Sequence, residues 1–599
     1  MLLRPLQPRF RWDLVTQPVP APELLAAAVQ LGLSPRVAAL LGSRGIVDPA
    51  ALAAFFGPPE AGLHDPALLP DAARFVERIG RARAAGDGVL VFGDFDADGL
   101  TGLAIMVRVL RRLGMRVEPY VPSRLDEGHG LSMAAVERAA QLGFPLIVTV
   151  DCGTTSVAEI TAAVGRGIDV LVTDHHRVPA VLPPAAAIVN PHRPDSSYPD
   201  RRLAGSGVAF KLGLLLLDRE PGGPAFALDL ADLATIGTVA DVAPVLGENR
   251  AIARLGLERL RERPRPAIAA LLEKGSGTSG RVDLETVAFV LAPRLNAAGR
   301  VGDAMDAAQL LLTDDPGEAA ELAARLEAAN GTRRDLTKQA IAEARTSPDA
   351  VHDAPATVIH GPWSVGIVGL VAARLAEERS RPAVVGADLG DVVRASCRSN
   401  AALDLAAALD VCSDLFIRHG GHAGAAGFEI PADRWQEFRE RFMVLAAAGA
   451  PADPRPSLAI DIDLPAREVD YALHRDLARL GPCGPGHPEP LVLVRDVAVM
   501  RVREAAGGHT QLTIRRDRDV LDAIAFGWSE LAGRVAAGDR VDIVARLVSR
   551  SFGGFESLQL DVRDAAPAGW LSLTGVMAVE IGLPLVAVPI VPAPADGPL

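Results

Sequence analysis

Short apolar runs alternate with helical segments in the first half of the chain. Three runs have the length of β-strands: residues 89–92, 144–150 and 168–173. The segments between them, such as residues 100–114, carry apolar residues at helical spacing. This alternation is typical of a parallel α/β sheet. We therefore predict a parallel α/β domain over residues 86–243.

The later half changes pattern twice. Residues 317–345 are charged, with apolar positions at helical spacing, which predicts a long helix acting as a strut between domains. Beyond residue 455, short period-two alternations with glycine and proline at their joints indicate a small β-barrel. The predicted regions are a helical N-terminal region (1–85), the first α/β domain (86–243), a helical connector (244–349), a second α/β domain (350–455), a β-barrel (456–565) and a tail or partial partner-binding segment (566–599).

Acidic and imidazole side chains follow the apolar runs of the first α/β domain. These residues are Asp94, Asp96 and Asp98 after the first run, Asp151 after the second, Asp174, His175 and His176 after the third, and Asp241 after an apolar stretch at 233–240. Ligands of parallel sheets bind beyond the carboxyl ends of the strands. We expect all these residues to lie at such ends and to converge on one crevice.

This ligand set predicts a divalent-metal site. Clustered carboxylates repel one another unless a cation neutralises them, and oxygen-rich sites with an imidazole suit Mg²⁺ or Mn²⁺. An EF-hand calcium loop is the rival interpretation, but it needs a Glu where this chain has Ile105. Helix N-caps would explain Asp151 or Asp174 singly, but not the whole set. Two such ions favour hydrolysis of a phosphodiester or pyrophosphate.

The series of acids and histidines resembles the motifs of the DHH phosphoesterase superfamily. Further segments narrow the resemblance to the RecJ single-stranded-DNA exonucleases: VPSRLDEGHG (121–130), APRLNAAGRVGDA (292–304), WSVGIVGLVAARL (363–375), RASCRS (394–399) and GGHAGAAGF (420–428). The first motif usually has Tyr where this chain has Phe95. The resemblance implies a DHH domain and a DHHA1 domain joined by a long helix, followed by an OB-fold barrel.

The resemblance also implies roles at the metal site. It gives the ligands of two Mn²⁺ or Mg²⁺ ions as Asp96, Asp98, Asp151, His175 and Asp241. Asp94 is either a further ligand or a hydrogen-bond acceptor behind the ligands. His176 is expected to face the scissile phosphate, and Asp174 to orient an imidazole. A helix-capping role is the alternative for Asp94 and Asp174.

A second set of residues is expected to hold the strand. Arg124, Ser396 and Arg398 resemble the residues that bind the terminal 5′ phosphate. Arg294 and Asn296 resemble contacts to the nucleotide beside the metals.

The glycine-rich segment offers Gly421 and His422 as a phosphate cradle in a loop that opens a helix. Helix packing through small residues is the alternative.

The barrel is expected to bind single strands. Arg515 and Arg516 could track phosphates, and Phe552 and Phe555 are the candidates for base stacking, with local packing as the alternative.

Composition limits these interpretations only mildly. A net charge of −13 argues against a protein coated in basic surface, although a local arginine groove can still guide a strand. The 4 cysteines have no CxxC spacing, so neither a zinc ribbon nor a disulfide framework is indicated. The sequence offers neither a signal-peptide core nor an unbroken apolar run of membrane-spanning length, which favours a cytoplasmic enzyme with no membrane partner.

Taken together, the resemblance implies a 5′-to-3′ exonuclease specific for single-stranded DNA. It would release 5′ mononucleotides in DNA recombination and repair. Implied partners are single-stranded DNA, a single-stranded-DNA-binding protein and a RecQ-type helicase, with the enzyme itself a monomer. Alternatives are a DHH phosphodiesterase acting on nanoRNA, cyclic dinucleotides or pyrophosphate, and an inactive replication-fork adaptor. The barrel argues against the first alternative, and the intact metal set against the second.

Overall fold

The computed structural model describes residues 5–124, 127–275, 282–350, 353–399, 403–449, 453, 455–516, 518–552 and 555–571. These residues form two compact units. One unit combines the N-terminal residues up to Pro58 with the residues from Arg455 onward. The other comprises the residues from Pro59 to Asp453.

The N-terminal segment contains one strand and three helices. They are β1 (Arg11–Leu14), α1 (Pro22–Gln30), α2 (Pro35–Ser43) and α3 (Pro49–Phe56). Strand β1 pairs in parallel with residues 457–460, and Trp12 Nε1 donates a hydrogen bond of 2.7 Å to Asp564. The predicted N-terminal region 1–85 therefore does not form one body. Its first 58 residues belong with the barrel unit, because a strand pairing and a buried tryptophan anchor them there.

The first α/β domain is built on a five-stranded parallel sheet. Its elements are α4 (Ala72–Ala85), β2 (Gly88–Gly93), α5 (Ala97–Arg112), β3 (Arg116–Tyr120), α6 (Met133–Gln141), β4 (Leu146–Val150), α7 (Val157–Gly165), β5 (Asp169–Thr173), β6 (Ala187–Val189), α8 (Gly205–Leu217), α9 (Gly223–Leu228) and α10 (Ala231–Ala240). The strand order is β3-β2-β4-β5-β6. The chain leaves β2 toward one edge and returns to β4 on its other side, so a switch point lies between these two strand ends.

One predicted strand end is wrong. The apolar stretch before Asp241 is helix α10, so Asp241 caps a helix instead of ending a strand. All ten residues of α10 are buried. A helix that is buried on every side lacks a polar face, and its sequence then looks like that of a buried strand.

The connector is helical throughout its regular structure. It contains α11 (Gly247–Glu262), α12 (Pro266–Lys274), α13 (Leu284–Thr286), a π-helical turn (Val287–Leu291), α14 (Ala292–Val301), α15 (Ala304–Leu312) and α16 (Pro316–Thr346). Helix α16 has 31 residues and confirms the predicted long helix. Asp315 caps its N-terminus by accepting a hydrogen bond from the backbone of Glu318.

The second α/β domain has a mixed sheet in the order β10-β11-β9-β8-β7. Its elements are β7 (Thr357–Gly361), α17 (Val365–Arg379), β8 (Ala383–Asp388), β9 (Val392–Arg398), α18 (Leu405–Val411), β10 (Arg418–Gly421), β11 (Ala425–Pro431) and α19 (Trp435–Ala448). Strands β7 and β8 are parallel, and the other pairings are antiparallel.

The unit that combines the N-terminal residues with those from Arg455 onward contains the predicted barrel. Its elements after residue 455 are β12 (Ser457–Ile460), β13 (Ile462–Pro465), α20 (Tyr471–Ala478), β14 (Val492–Ala505), β15 (His509–Arg516), β16 (Asp519–Ala525), β17 (Arg540–Phe552) and β18 (Phe555–Pro567). The pairing of β14 with β17 closes the ring β14-β15-β16-β18-β17. The predicted fold class, two α/β domains joined by a long helix and followed by a β-barrel, is confirmed. Among the residues that the structure describes, none forms a helix long and apolar enough to cross a membrane.

Candidate metal centre

The first acidic motif is held in place by its own backbone. Asp96 Oδ1 accepts hydrogen bonds of 3.0 Å from the backbone of both Asp98 and Gly99, which makes it the N-cap of α5. The Asp98 carboxylate accepts backbone hydrogen bonds from Gly205 and Ser206 at 2.7 and 2.9 Å. These two residues begin α8, so the motif also joins two helices.

Asp151 is held in a strained position at the end of β4. Its φ of 64° lies in the left-handed region, which non-glycine residues adopt uncommonly. Gly205 makes room for it, because a Cβ there would lie 2.5 Å from Asp151 Oδ1. This oxygen is buried and makes no hydrogen bond among the described residues, although His175 Nε2 lies 3.0 Å away without hydrogen-bond geometry.

Two groups of side chains could each hold a metal ion, and they share His175. One group is Asp151, His175 and His176, and the other is Asp98, His175 and Asp241; within each, the ligand atoms lie within 4.8 Å of one another. His175 Nε2 is 3.8 Å from Asp98 Oδ2, and His175 Nδ1 is 3.9 Å from Asp241 Oδ2. Carboxylate oxygens, an imidazole and a buried oxygen without a partner fit a pair of hard divalent cations.

The buried carboxylates of the site repel one another when they are charged. Burial, together with the charges of Asp94 and Asp98, raises the pKa of Asp96 to about 6. Burial and the charge of Asp98 also raise the pKa of Asp241 to about 7, although His175 acts against this shift. The pKa of Asp151 is raised well above its ordinary value for the same reasons. Bound cations would remove this repulsion.

Asp174 organises the loop that carries the two histidines. Its Oδ1 accepts backbone hydrogen bonds from His175 and His176 at 2.7 and 3.0 Å, and lies 2.8 Å from His176 Nδ1. Burial alone would lower the pKa of His176, but the hydrogen bond and charge of Asp174 raise it to about 9. Asp174 therefore favours the protonated form of His176.

Asp94 belongs to neither ligand group. Its Oδ2 lies 2.9 Å from His129 Nδ1, and its Oδ1 accepts a hydrogen bond from the backbone of Phe95. The His129 ring also packs against Phe95, with 4.5 Å between ring centroids. Sequence reasoning missed His129, although it lies inside the quoted segment at 121–130. These contacts favour the acceptor role over the ligand role for Asp94, which stays a prediction.

One arginine of the first α/β domain (the first lobe), Arg124, lies within electrostatic range of Asp94, Asp96 and an arginine of the second α/β domain (the second lobe), Arg398. Arg398 Nη1 donates hydrogen bonds of 3.0 Å to Ser396 Oγ and 2.8 Å to the Cys397 carbonyl. The Arg124 guanidinium lies over the ring of Phe95, 4.9 Å from its centroid. Burial and repulsion from Arg124 lower the pKa of Arg398 to about 10. Ser396 and Arg398 are thus hydrogen-bonded to each other, and Arg124 is near enough to Arg398 to lower its pKa.

Arg300 belongs to the same arginine cluster and was not predicted. Its Nη1 donates a hydrogen bond of 2.6 Å to the carbonyl of Gly366, at the start of α17. Burial lowers its pKa well below the ordinary value, and repulsion from neighbouring guanidinium groups lowers it further. These groups belong to Arg124, Arg333 and Arg398. The sequence signal was available, because Arg300 lies inside the segment APRLNAAGRVGDA at 292–304.

The two residues expected beside the metals behave differently. Asn296 Oδ1 accepts a hydrogen bond of 2.6 Å from the backbone of Ala97, which fixes the acidic loop from α14. Arg294 instead contacts Glu327 at 2.6 Å and donates to the carbonyls of Val290 and Lys274. Its contacts lie within the connector, so a role for Arg294 at the nucleotide stays a prediction.

The glycine-rich segment forms a β-hairpin, so the predicted loop opening a helix is wrong. Gly421 ends β10 with a φ of 138°, and a Cβ there would lie 2.4 Å from Ala426 Cα. His422 donates a backbone hydrogen bond of 2.7 Å to Ala425 in the turn. Burial lowers the pKa of His422, and the charge of His176 contributes to this shift. His422 therefore lies within electrostatic range of the histidine loop.

The barrel residues are only partly described. Arg515 is exposed at the end of β15, and Arg516 donates a hydrogen bond of 2.9 Å to the carbonyl of Val469. Phe552 and Phe555 pair through their backbones at the tip of the β17–β18 hairpin. Their side chains lie outside the described residues, so their stacking role stays a prediction.

Family models match three segments of the chain. They are the DHH family, N-terminal domain (residues 88–238), the DHHA1 domain (354–446) and the RecJ OB domain (460–564).

Similar curated proteins and solved structures extend along most of the chain. It is 34% identical to the single-stranded-DNA-specific exonuclease RecJ of Bacillus subtilis, over 94% of this chain and 72% of that protein. It is 36% identical to the RecJ of Dickeya dadantii, over 84% and 92%. The crystal structure of Thermus thermophilus RecJ with Mn²⁺ matches with a TM-score of 0.79 at 32% identity, covering 93% of this chain and 79% of that one. A Thermus structure with Mg²⁺ also matches, with a TM-score of 0.74. The chain therefore belongs to the RecJ family of single-stranded-DNA-specific exonucleases, the metal-dependent hydrolases of the DHH superfamily.

Proposed function

We propose that this protein degrades single-stranded DNA from its 5′ end and releases 5′ mononucleotides. One observation carries the proposal: two candidate ligand groups share His175, and an arginine cluster from both lobes lies within electrostatic range of the first acidic motif. Ligands for metal ions and donors for an anionic terminus thus adjoin each other. The names of the RecJ relatives support single-stranded DNA as the substrate.

We propose that two divalent ions, Mn²⁺ or Mg²⁺, bind to Asp96, Asp98, Asp151, His175 and Asp241. When bound, such ions activate water and stabilise the charge that develops on the phosphate oxygens. His176 then faces the scissile phosphate as a cation, with Asp174 fixing its orientation through Nδ1. Its remaining nitrogen can donate a hydrogen bond to a phosphate oxygen or a proton to the leaving 3′ oxygen.

The arginine cluster accounts for the polarity. We infer that Arg124, Arg398 and Ser396 bind the terminal 5′ phosphate, so that the first internal phosphodiester lies at the metals. Arg300 belongs to the same cluster, and Gly421 with His422 closes the site from the second lobe. Hydrolysis on the 3′ side of the first nucleotide leaves a new 5′ phosphate on the strand. Each turnover therefore regenerates the terminus that the cluster recognises.

A strand labelled at one end tests the proposal. Single-stranded DNA and RNA, and duplex DNA, labelled at either end, are incubated with Mn²⁺, Mg²⁺ or a chelator. We expect immediate release of a 5′-labelled mononucleotide from single-stranded DNA with either metal, and none with chelator. Early release of a 3′ label, or metal-independent cleavage, would contradict the proposal. Preferential cleavage of RNA would favour a nanoRNA phosphodiesterase.

We also propose that the enzyme acts as a monomer in the cytoplasm, in recombination and repair. A single-stranded-DNA-binding protein and a RecQ-type helicase are the proposed protein partners. This part rests on the family and on the substrate. Sedimentation of the purified chain, alone and with each candidate partner, tests this part of the proposal. If neither partner forms a complex with the chain, the partner assignment is wrong.

A further inference from the structure

The long helix α16 carries a polar stretch on its buried face. Leu326 packs into the core of the first lobe, whereas Ala340 and Ala344 pack into the core of the second. Between these cores the same face carries Asn330, Arg333 and Thr337. At 1.5 Å per residue, the interval from 326 to 340 is roughly 21 Å of helix. The middle of the strut therefore crosses the junction between the lobes.

Arg333 lies in this polar stretch and has a side-chain nitrogen whose hydrogen-bonding capacity is not met among the described residues. Its side chain is half-buried, and its Nε is buried with no hydrogen-bond partner in the described part of the chain. A buried donor left unpaired costs free energy. By contrast, the nearby Arg325 is exposed on the same helix and pairs with Asp306 at 2.9 Å. The polar stretch is thus not an ordinary solvated face.

Three elements converge at this part of α16. Helix α14 packs on α16, and a Cβ on Gly302, just after α14, would lie 3.9 Å from Ala329 Cβ. A Cβ on Gly366, at the start of α17, would lie 2.5 Å from the carbonyl oxygen of Arg300. One turn further along α17, a Cβ on Gly369 would lie 3.2 Å from Ser396 Oγ. The first turn of α17 thus lies between Arg300 and the Ser396–Arg398 segment.

Arginines lie near Arg333, and Glu327 contacts two of them, Arg294 at 2.6 Å and Arg334 at 3.3 Å. Burial lowers the pKa of Arg333, and repulsion from Arg334 and Arg294 lowers it further. Arg333 in turn helps to lower the pKa of Arg300. Arg300 is also repelled by Arg124 and Arg398, so Arg300 lies within electrostatic range of all three arginines. A terminal phosphate monoester carries about −1.5 to −2 charges at neutral pH, more than an internal diester, and suits such a group of arginines best.

We propose that Arg333 is a further residue that binds the terminal 5′ phosphate, so that the connecting helix contributes to substrate recognition. This inference rests on the proposed function. It assigns to α16 a binding role beyond that of a strut. The pocket would then draw its cations from the first lobe, the connector and the second lobe.

Steady-state cleavage of two oligonucleotides by the full-length protein tests the assignment. The substrates are a 20-nucleotide single strand with a 5′ phosphate and the same strand with a 5′ hydroxyl, both with Mn²⁺. Removing one charge-assisted phosphate contact should raise KM about tenfold. For R333Q we expect this rise with the phosphorylated strand and less than a twofold change with the hydroxyl strand, at similar kcat. R333K keeps the charge and should lose less, and R325Q should match the wild type.

Two results would overturn the proposal. An unchanged KM for R333Q shows that Arg333 does not bind the strand. An equal rise with both strands assigns it to an internal phosphate instead. If R333Q does not fold, R333K decides, because a smaller rise confined to the phosphorylated strand is still expected. Failure of the proposed function is separate, because it shows as a wild-type protein that does not cleave the strand from its 5′ end.

Discussion

The substitution Arg398→Gln tests how the second lobe recognises the strand. The Arg398 guanidinium is positioned by hydrogen bonds from one nitrogen, Nη1, to Ser396 and to the Cys397 carbonyl. Within the described part of the chain Nε and Nη2 donate to no other group, so both are available to a phosphate. Although burial and Arg124 lower its pKa to about 10, Arg398 remains charged in an assay at pH 8. Glutamine removes the charge and keeps much of the length.

The expected magnitude follows from the contact that is lost. Hydrogen bonds to charged groups contribute about 1.5–3 kcal/mol, and each 1.4 kcal/mol is tenfold in affinity. Arg398→Gln should therefore raise KM for a 5′-phosphorylated strand roughly 10- to 100-fold. The strand with a 5′ hydroxyl should change much less, because it lacks the dianionic group.

The assay compares KM and kcat for both strands, with unfolding temperature as the control for folding. Arg394→Gln is the matched variant, since Arg394 lies on the same strand but pairs with Glu429. It should behave like the wild type. Equal loss on both strands after Arg398→Gln would refute the assignment of this residue to the terminal phosphate.

Two further predictions concern pH and the barrel unit. The pKa values of Asp96 and Asp241 are raised to about 6 and 7, so the metal-free fold favours their protonated forms. The free energy of unfolding of the metal-free protein should therefore fall between pH 5 and pH 8, by on the order of 2–4 kcal/mol. Calorimetry in chelator should show this loss and Mn²⁺ should abolish it; equal stability at both pH values would contradict the account. A chain of residues 59–454 should still cleave a short oligonucleotide but bind long strands more weakly, and this difference should shrink as salt rises. Unchanged affinity for long strands in a binding titration would assign the barrel unit another task.

The strand-end acids were predictable because a parallel sheet imposes a simple pattern. Asp94, Asp96, Asp98 and Asp151 follow apolar runs whose length and spacing identify strands, and strand ends share one edge. Asp241 also belongs to the candidate metal centre, but it lies at the end of a buried helix and not at the end of a strand. Its position was predictable only through the family motif, because an entirely apolar stretch shows neither the period of a helix nor that of a strand.

Other features depend on contacts between segments distant in sequence. The pairing of β1 with β12 joins residues 11–14 to residues 457–460. No local sequence pattern in the N-terminal region predicts which distant strand it pairs with. A deletion of residues 456–565 alone would therefore remove β12, the strand that pairs with β1 of the N-terminal segment. The hairpin at Gly421 was mistaken for a helix start, because glycines permit both a left-handed turn and close helix packing.

His129 and Arg300 were missed for a related reason. Both lie inside segments that the resemblance had identified, but their roles come from what they touch across the fold. His129 contacts Asp94 from the loop after β3, and Arg300 contacts the first turn of α17. A sequence identifies such residues as candidates, and packing assigns their partners.

Metal stoichiometry measured together with single-turnover cleavage tests the central claim most directly. Asp151 has a buried oxygen without a hydrogen-bond partner beside the shared His175, and Asp151→Asn removes its charge at nearly constant volume. The wild type should bind two Mn²⁺ per chain. The variant should bind fewer, while its single-turnover rate on 5′-phosphorylated single-stranded DNA falls at least about a thousandfold, or ~4 kcal/mol. A variant that keeps both ions and a rate close to that of the wild type would contradict a catalytic metal centre at these residues.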